Sequence, residues 1–268
     1  MRSRSRLVFA AVAALMALGS YFFSTRSEVN DVTGERQRVA LSQEQEVAMG
    51  LQSAPEMAAQ FGGLHPDQDA QALVDRVGQK LVAANLPGTP YRFDFHLLAD
   101  PNTVNAFALP GGQVFITAAL FEALETEGQL AGVLGHEIGH IVGRHSSEQM
   151  AKAMLTRGLA SAGGALLYDP SNPGMASQLP QLVAQFTEMK YGRDDELESD
   201  RLGVRFTGQA GYDPRVMVRV MEILAAAGGG ARQPEFMSTH PDPGNRIARI
   251  EEAIAATYPN GVPAGATE

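Results

Sequence analysis

Cysteine is absent from this 268-residue chain. That absence excludes disulfides, thiolate nucleophiles, cysteine-ligated zinc, iron–sulfur clusters and a lipid-modified N-terminal cysteine. Any metal has to be held by histidine, aspartate or glutamate. Apolar runs are also scarce: apart from one segment at the N-terminus, the most apolar stretch is residues 158–168, and eleven residues are too few to cross a bilayer. No repeat of about 20 to 50 residues is present, which excludes solenoids and propellers. Basic charge is short outside the N-terminus. Residues 1–26 carry Arg2, Arg4, Arg6 and Arg26 and no acid, which leaves 17 basic against 30 acidic residues in the remainder. A body that acidic repels phosphate backbones, and no local basic patch offsets it, so nucleic-acid binding is disfavoured.

What is present fits a folded protein. With 44% hydrophobic and 19% charged residues, the composition is neither disordered nor collagen-like and allows one ordinary domain with short appendages. Residues 7–23 carry no charge and follow three arginines. Residues 1–26 therefore read as a signal sequence or an N-terminal membrane anchor, with the body exported to the periplasm or another extracytoplasmic compartment and tethered by residues 7–23. Residues 27–41 read as a polar linker, and 42–268 as the folded domain.

Within that domain Ser42 and Gln45 form a capping-box pattern ahead of a helix at 42–52. Ala70, Leu73, Val74, Val77 and Leu81 recur at helical spacing over 67–84. Phe93, Phe95 and Leu97 then alternate with Arg92, Asp94 and His96, the pattern of a half-buried strand. Residues 105–109 and 113–117 read as two further strands around the turn Pro110-Gly111-Gly112. Everything after Ala118 reads as mainly helical, an α+β order with a small sheet among helices. Thr126 and Gln129 form a capping-box pattern ahead of a helix carrying Leu130, Val133, Leu134, Ile138 and Ile141. Residues 158–177 read as a loop or crossover, a helix is predicted from about Gln178 through Phe206, and others cover 214–227 and 245–256. Gly228-Gly229-Gly230 reads as a break.

The chemistry-bearing signal is His136-Glu137-Ile138-Gly139-His140, an H-E-x-x-H on a predicted helix. Histidines four apart share one helical face, so both imidazoles reach one ion, and Glu137 lies beside them where it can touch a water on that ion. Zinc suits two histidines, one carboxylate and an open position. The carboxylate is sought in Asp194-Asp195-Glu196-Leu197-Glu198-Ser199-Asp200, beginning past the second histidine on another helix. Glu196 and Asp200 share a face there, so Glu196 can reach the metal while Asp200 accepts a hydrogen bond from a ligand histidine. Glu198, about 200° away on the helical wheel, is the alternative ligand or a solvated acid. His145, about 180° round from His136, faces away from the metal on the same reckoning. His65 and His96 receive no role. Tyr191 and Arg193, ahead of Glu196, are possible helpers at the site.

These residues, together with Asn105-Ala106-Phe107-Ala108-Leu109-Pro110-Gly111-Gly112, Thr239-His240-Pro241 and Arg246, occur in an order that resembles the HtpX/Oma-type gluzincin metallopeptidases, metallopeptidase family forty-eight, which also holds the CAAX prenyl proteases. The resemblance covers about residues 42–256. Ser199 stands where that family usually has alanine. The body lacks the several membrane helices of HtpX and the prenyl proteases, which places it nearer the soluble, exported branch.

The resemblance implies a zincin-type core with one zinc held by His136, His140 and Glu196, and endoproteolysis of polypeptide substrates. Glu137 then takes a proton from the attacking water and delivers it to the leaving amine. His240 stabilises the oxyanion, or occupies the fourth zinc position in a latent state, or is only a turn histidine. Arg246 pairs with an acid. The strand at 105–109, with Asn105, Ala106 and Phe107, is either an exposed edge that pairs with an extended substrate or an internal strand. Residues 158–178 are either a lid or a disordered loop. Envelope protein quality control is the expected setting. The competing class is a latent or inactive peptidase-fold binder or chaperone, and the intact Glu137 argues against it.

Overall fold

The computed structural model describes residues 2–164, 190–227, 234–241, 244–263 and 265–267. Helix α1 (Arg2–Ser24) leads into a two-stranded antiparallel hairpin, β1 (Arg26–Val29) and β2 (Arg36–Val39). Helices α2 (Gln43–Gln60) and α3 (Gln68–Asn85) follow, capped by Ser42 with the full Ser42–Gln45 capping box and by Asp67. A three-stranded sheet, β3 (Asp94–Leu98), β4 (Ala106–Leu109) and β5 (Gln113–Thr117), has the order β3-β5-β4, with β3 parallel and β4 antiparallel to β5. β4 is therefore an edge. The remaining elements are α4 (Ala118–Ala123), α5 (Glu127–Val142), α6 (His145–Gly164), α7 (Arg193–Gln209), α8 (Val216–Ala227), α9 (Glu235–Thr239) and α10 (Arg246–Thr257). Among the described residues no helix is long and apolar enough to cross a membrane.

The core forms around α5. Every residue from Gly128 to Val142 is buried, so this helix is apolar almost all round, as a central helix has to be. It lies against α3, α7, α8 and the sheet, and Leu134, Ile138, Phe95, Leu97, Ile116 and Phe206 share one cluster with it. The β4–β5 turn is pinned from outside by α2. Gly111 and Gly112 take φ of 85° and 124°, and a Cβ on Gly111 would lie 2.3 Å from Val47 Cα, so glycine is required there both for conformation and for space.

Four expectations need correction. The linker at 27–41 contains most of the hairpin. Its strands carry little apolar pattern because they are held by tertiary bonds: Asn30 Nδ2 donates to the Val142 carbonyl at 2.7 Å, and the Leu41 amide donates to Ser147 Oγ at 3.0 Å. Residues 158–164 are helical, because α6 packs on α1 with Gly158 against Ala17, a close approach that glycine permits. Residues 165–177, the helix start near 178 and Gly228-Gly229-Gly230 lie outside the described residues. Residues 190–192 are not helical and α7 begins only at Arg193, with Asp195 Oδ2 accepting the Gly192 amide at 2.9 Å. Thr126 Oγ1 caps α5 by accepting from the Gln129 amide, but the Gln129 side chain reaches back to the amide of Glu125 instead of closing the box on Thr126.

Between α5 and α6 the chain reverses at Arg144, whose φ of 60° is unusual for a residue with a side chain. Its buried guanidinium donates to Glu46, Glu28 and the Leu41 carbonyl, joining hairpin, α2 and the end of α5. Burial raises the Glu46 carboxyl above its ordinary range despite Arg144. Replacing Arg144 with Met would leave the 2%-exposed Glu46 without its cation. A loss of roughly 3–5 kcal/mol in urea-unfolding stability is expected, the usual cost of breaking a buried pair.

Candidate metal centre

Helices α5 and α7 approach closely because small residues face each other. A Cβ on Gly139 would stand 3.0 Å from Ser199 Cα, and one on Gly135 would stand 3.3 Å from Thr207 Oγ1. Ser199 is small enough for that contact. His136 and His140 thereby face Glu196 and Asp200, and α9 brings His240 into the same point.

Donor atoms of His136, His140, Glu196 and His240, all buried, lie within 4.8 Å of one another. His136 Nε2 is 3.0 Å from His140 Nε2 and 3.3 Å from His240 Nδ1. Glu196 Oε1 is 3.4 Å from His140 Nε2 and 3.0 Å from His240 Nδ1, and its Oε2 is 3.5 Å from His136 Nε2. Ligand atoms about 2.0–2.1 Å from a tetrahedral zinc are separated by about 3.3 Å, so this donor set fits zinc. The charges agree. Glu137, Glu196 and Asp200 are at most 1% exposed, and the Arg246 guanidinium pairs with Glu196 and Asp200. Three buried carboxylates with one guanidinium leave negative charge for a dication.

The outer nitrogens of both ligand histidines are occupied. His136 Nδ1 donates to Asp200 Oδ1 at 3.0 Å, and Arg246 Nε and Nη2 donate to Asp200 at 2.8 Å each. Burial opposes ionisation of Asp200, but Arg246 and His136 outweigh it and hold the carboxyl well below its usual range. Glu196 is likewise held low, its burial overcome by His240, His136 and Arg246. His140 is kept neutral: burial, then the neighbouring imidazoles, push it far below the usual histidine range. Neutral imidazole is the form that binds metal.

His145 corrects the helical-wheel expectation. Because α5 ends at Val142 and the chain turns at Arg144, His145 folds back instead of continuing round the wheel. Its Nδ1 accepts from His140 Nδ1 at 2.9 Å, and its Nε2 donates to Glu198 Oε2 at 2.9 Å. Glu198 is thus neither a metal ligand nor a solvated acid; burial opposes its ionisation, but the His145 hydrogen bond holds it low. Sequence reasoning missed this relay, and the signal was the glycine at 143 that ends the helix. Tyr191 stacks on His140 with ring centroids 3.9 Å apart and Phe236 stacks on His240 at 4.4 Å, while Arg193 points away to Asn245. His96 stacks on Phe115 and pairs with Gln113, remote from the cluster.

Glu137 is fully buried, neither carboxylate oxygen has a hydrogen-bond partner, and His240 Nε2 stands 3.6 Å from Oε1. Burial raises its carboxyl above the ordinary glutamate range, with His240 and His136 offsetting only part. Asn105 and Phe107 line a cavity that reaches Tyr191, Thr239 and His240, whereas Ala106 is turned into the core and offers only main chain.

A profile of peptidase family M48 matches residues 65–254. The chain belongs to peptidase family M48. It is 30% identical over 243 residues to the mitochondrial metalloendopeptidase OMA1 of Schizosaccharomyces pombe, covering 89% of this chain and 70% of that protein. It is 34% identical over 182 residues to the beta-barrel assembly-enhancing protease of Escherichia coli K12, covering 65% and 37%. The bovine mitochondrial metalloendopeptidase OMA1 is 28% identical over 270 residues, covering 95% and 51%. The chain thus spans well under half the length of the bacterial relative. What all share is an M48 metallopeptidase core, and zinc is the metal of that family.

The relay and the carboxylate make distinguishable predictions for this M48 centre. Glu196→Ala is expected to lose stoichiometric zinc. His145→Ala and Glu198→Ala are expected to retain a site weakened about 10- to 100-fold, the usual effect of removing a partner of a ligand histidine. Competition with a chelator of known zinc affinity measures all three.

Proposed function

We propose that this chain is an endopeptidase that cleaves unfolded or misassembled polypeptides by water attack, with Glu137 as general base and general acid. The observation that carries the reading is the buried, unpartnered Glu137 carboxylate beside the four-donor cluster. Zinc held by His136, His140 and Glu196 supplies a Lewis acid for the scissile carbonyl and the attacking water. Glu137 takes a proton from that water. Its raised proton affinity makes the carboxylate a stronger base than an exposed glutamate, and the same group hands the proton to the leaving amine. Asp200 and His145 hold the two ligand imidazoles in the tautomer that presents Nε2. Arg246 holds Asp200 and Glu196 in place.

His240 is assigned here to the fourth ligand position of a closed state. Its Nδ1 belongs to the donor cluster and its Nε2 faces Glu137, so it stands where a water would meet both. Opening then requires α9 to withdraw and carry His240 away from the donor cluster.

The relatives, a mitochondrial metalloendopeptidase and a beta-barrel assembly-enhancing protease, support proteolysis in the service of protein assembly. The arginines ahead of residues 7–23 support export of the domain and attachment at a membrane through that segment.

Zinc analysis with casein cleavage tests the reading. Wild type and Glu137→Gln are both expected to hold one zinc, with cleavage reduced at least about 1,000-fold in Glu137→Gln as for loss of a general base. His240→Ala is expected to keep its zinc and cleave faster than wild type. Retained zinc with slower cleavage would assign His240 to the oxyanion alone, and zinc without cleavage in all three proteins would overturn the peptidase reading.

A further inference from the structure

Helices α1 and α6 form a pair that stands on the N-terminal hairpin. The Ala40 amide donates to the Ser147 carbonyl at 3.2 Å, and the Arg38 guanidinium of β2 lies over the rings of Tyr21 and Phe22 at 5.5 and 4.9 Å, so both helices leave the hairpin together. Farther out they still touch, since a Cβ on Gly158 would lie 3.0 Å from the Ala17 Cβ. The contacts advance from Ser147 to Gly158 along α6 while they step back from Tyr21 to Ala17 along α1. The two helices therefore run antiparallel.

The outer side of this pair is apolar. On α1, Leu15 is 68% and Phe23 94% exposed, Met16 and Phe22 are exposed as well, and α6 adds Met154 and Leu159. Single apolar side chains on a surface are ordinary, but several on two adjoining helices form a patch that marks contact with a protein or a membrane. The charges decide between the two. Residues 1–26 hold no acid, and residues 149–164 hold Lys152 and Arg157 and no acid, in a chain with 30 acidic residues. Both helices thus leave acids out of the region where the patch lies, which suits an anionic surface. The guanidinium of Arg38 over Tyr21 and Phe22, with aliphatic side chains farther out on α1, is the order of groups found from the edge of a bilayer inward. Among the described residues no helix is long and apolar enough to cross a membrane, so the pair is suited to entering one leaflet.

We propose that α1 and α6 together form a face that inserts into one leaflet of an anionic bilayer, with Met154 and Leu159 of α6 in contact with lipid. The proposal rests on the membrane attachment inferred above for residues 7–23 and extends it to a helix of the folded domain; it does not depend on cleavage. Helix α6 starts at His145, whose ring backs the ligand His140, and Met154 lies nine residues on, about 14 Å of helix. Lipid contact through α6 therefore holds the metal cluster close to the bilayer surface.

The absence of cysteine makes the test direct, because one introduced thiol is the only site of labelling. Full-length protein carrying bimane on Leu15→Cys, Met154→Cys, Leu159→Cys or Leu64→Cys is mixed with vesicles of phosphatidylcholine and phosphatidylglycerol that bear a spin label on the acyl chain. Quenching of at least about 2-fold is expected at positions 15, 154 and 159, and none at 64, which is exposed and apolar but lies outside the pair. Met154→Asp combined with Leu159→Asp is expected to weaken partitioning onto the same vesicles at least about 10-fold, with zinc content and melting temperature unchanged, because two apolar side chains no longer enter lipid. Vesicles of phosphatidylcholine alone are expected to bind wild type about 10-fold more weakly than the mixed vesicles. Quenching at 15 but not at 154 and 159 would leave attachment through residues 7–23 standing and overturn the paired face. No quenching at any of the three positions would overturn both. Emission at 154 and 159 that changes with protein concentration and not with lipid would assign the face to a second copy of the chain and overturn the lipid contact, and equal binding to the two kinds of vesicle would overturn the anionic preference.

Discussion

The approach of α7 to α5 sets the geometry on which the rest of the site depends. Gly139 against Ser199 and Gly135 against Thr207 and Gly203 let the two backbones come close enough for short carboxylates on one helix to meet imidazoles on the other. A larger residue at 139 would meet the Ser199 backbone, which cannot yield as a flexible side chain can. The spacing of four residues on each helix then acts twice. His136 and His140 stack one turn apart, and so do Glu196 and Asp200, so one acid faces the donor cluster and the other faces the back of His136.

Buried charge is the second constraint. Carboxylates at 137, 196 and 200 are removed from water along with Arg246, an arrangement that costs heavily unless each charge is matched. The protein matches part of it with the Arg246 fork on Asp200 and leaves the remainder to a dication. Glu137 is the exception, a carboxyl buried without a hydrogen-bond partner and only partly offset by His240 and His136. Its raised proton affinity follows directly, and so does its fitness to carry a proton.

The N-terminal hairpin is bound into this arrangement. Asn30 donates to the last carbonyl of α5, and Arg144 ties the same helix end to Glu28 and Glu46. The reversal that places His145 behind His140 therefore occurs in a buried knot of polar contacts, with the brace on one side and the metal cluster a few residues away. Residues that read as a polar linker in isolation contribute to holding α5 in register.

Residues 136–140, the acids at 196 and 200, the capped helix at Ser42, the helix at 67–84 and the succession of strands from 93 to 117 were legible from the chain alone, because each depends on local spacing: 3.6 residues per turn, alternation in a strand, or a cap three residues ahead. Absent cysteine narrowed the metal site to imidazole and carboxylate in the same way. What could not be read depended on groups distant in sequence. The hairpin at 26–39 exists through bonds to residues near 145, and α6 continues past Gly158 because α1 lies against it. His145 looked remote from the metal while a straight helix was assumed, and a single positive φ at Arg144 reversed that. Spacing therefore determined which side chains share a face, and tertiary packing decided which faces meet, because a backbone reversal or a missing Cβ redirects contacts over distances that local periodicity does not encode.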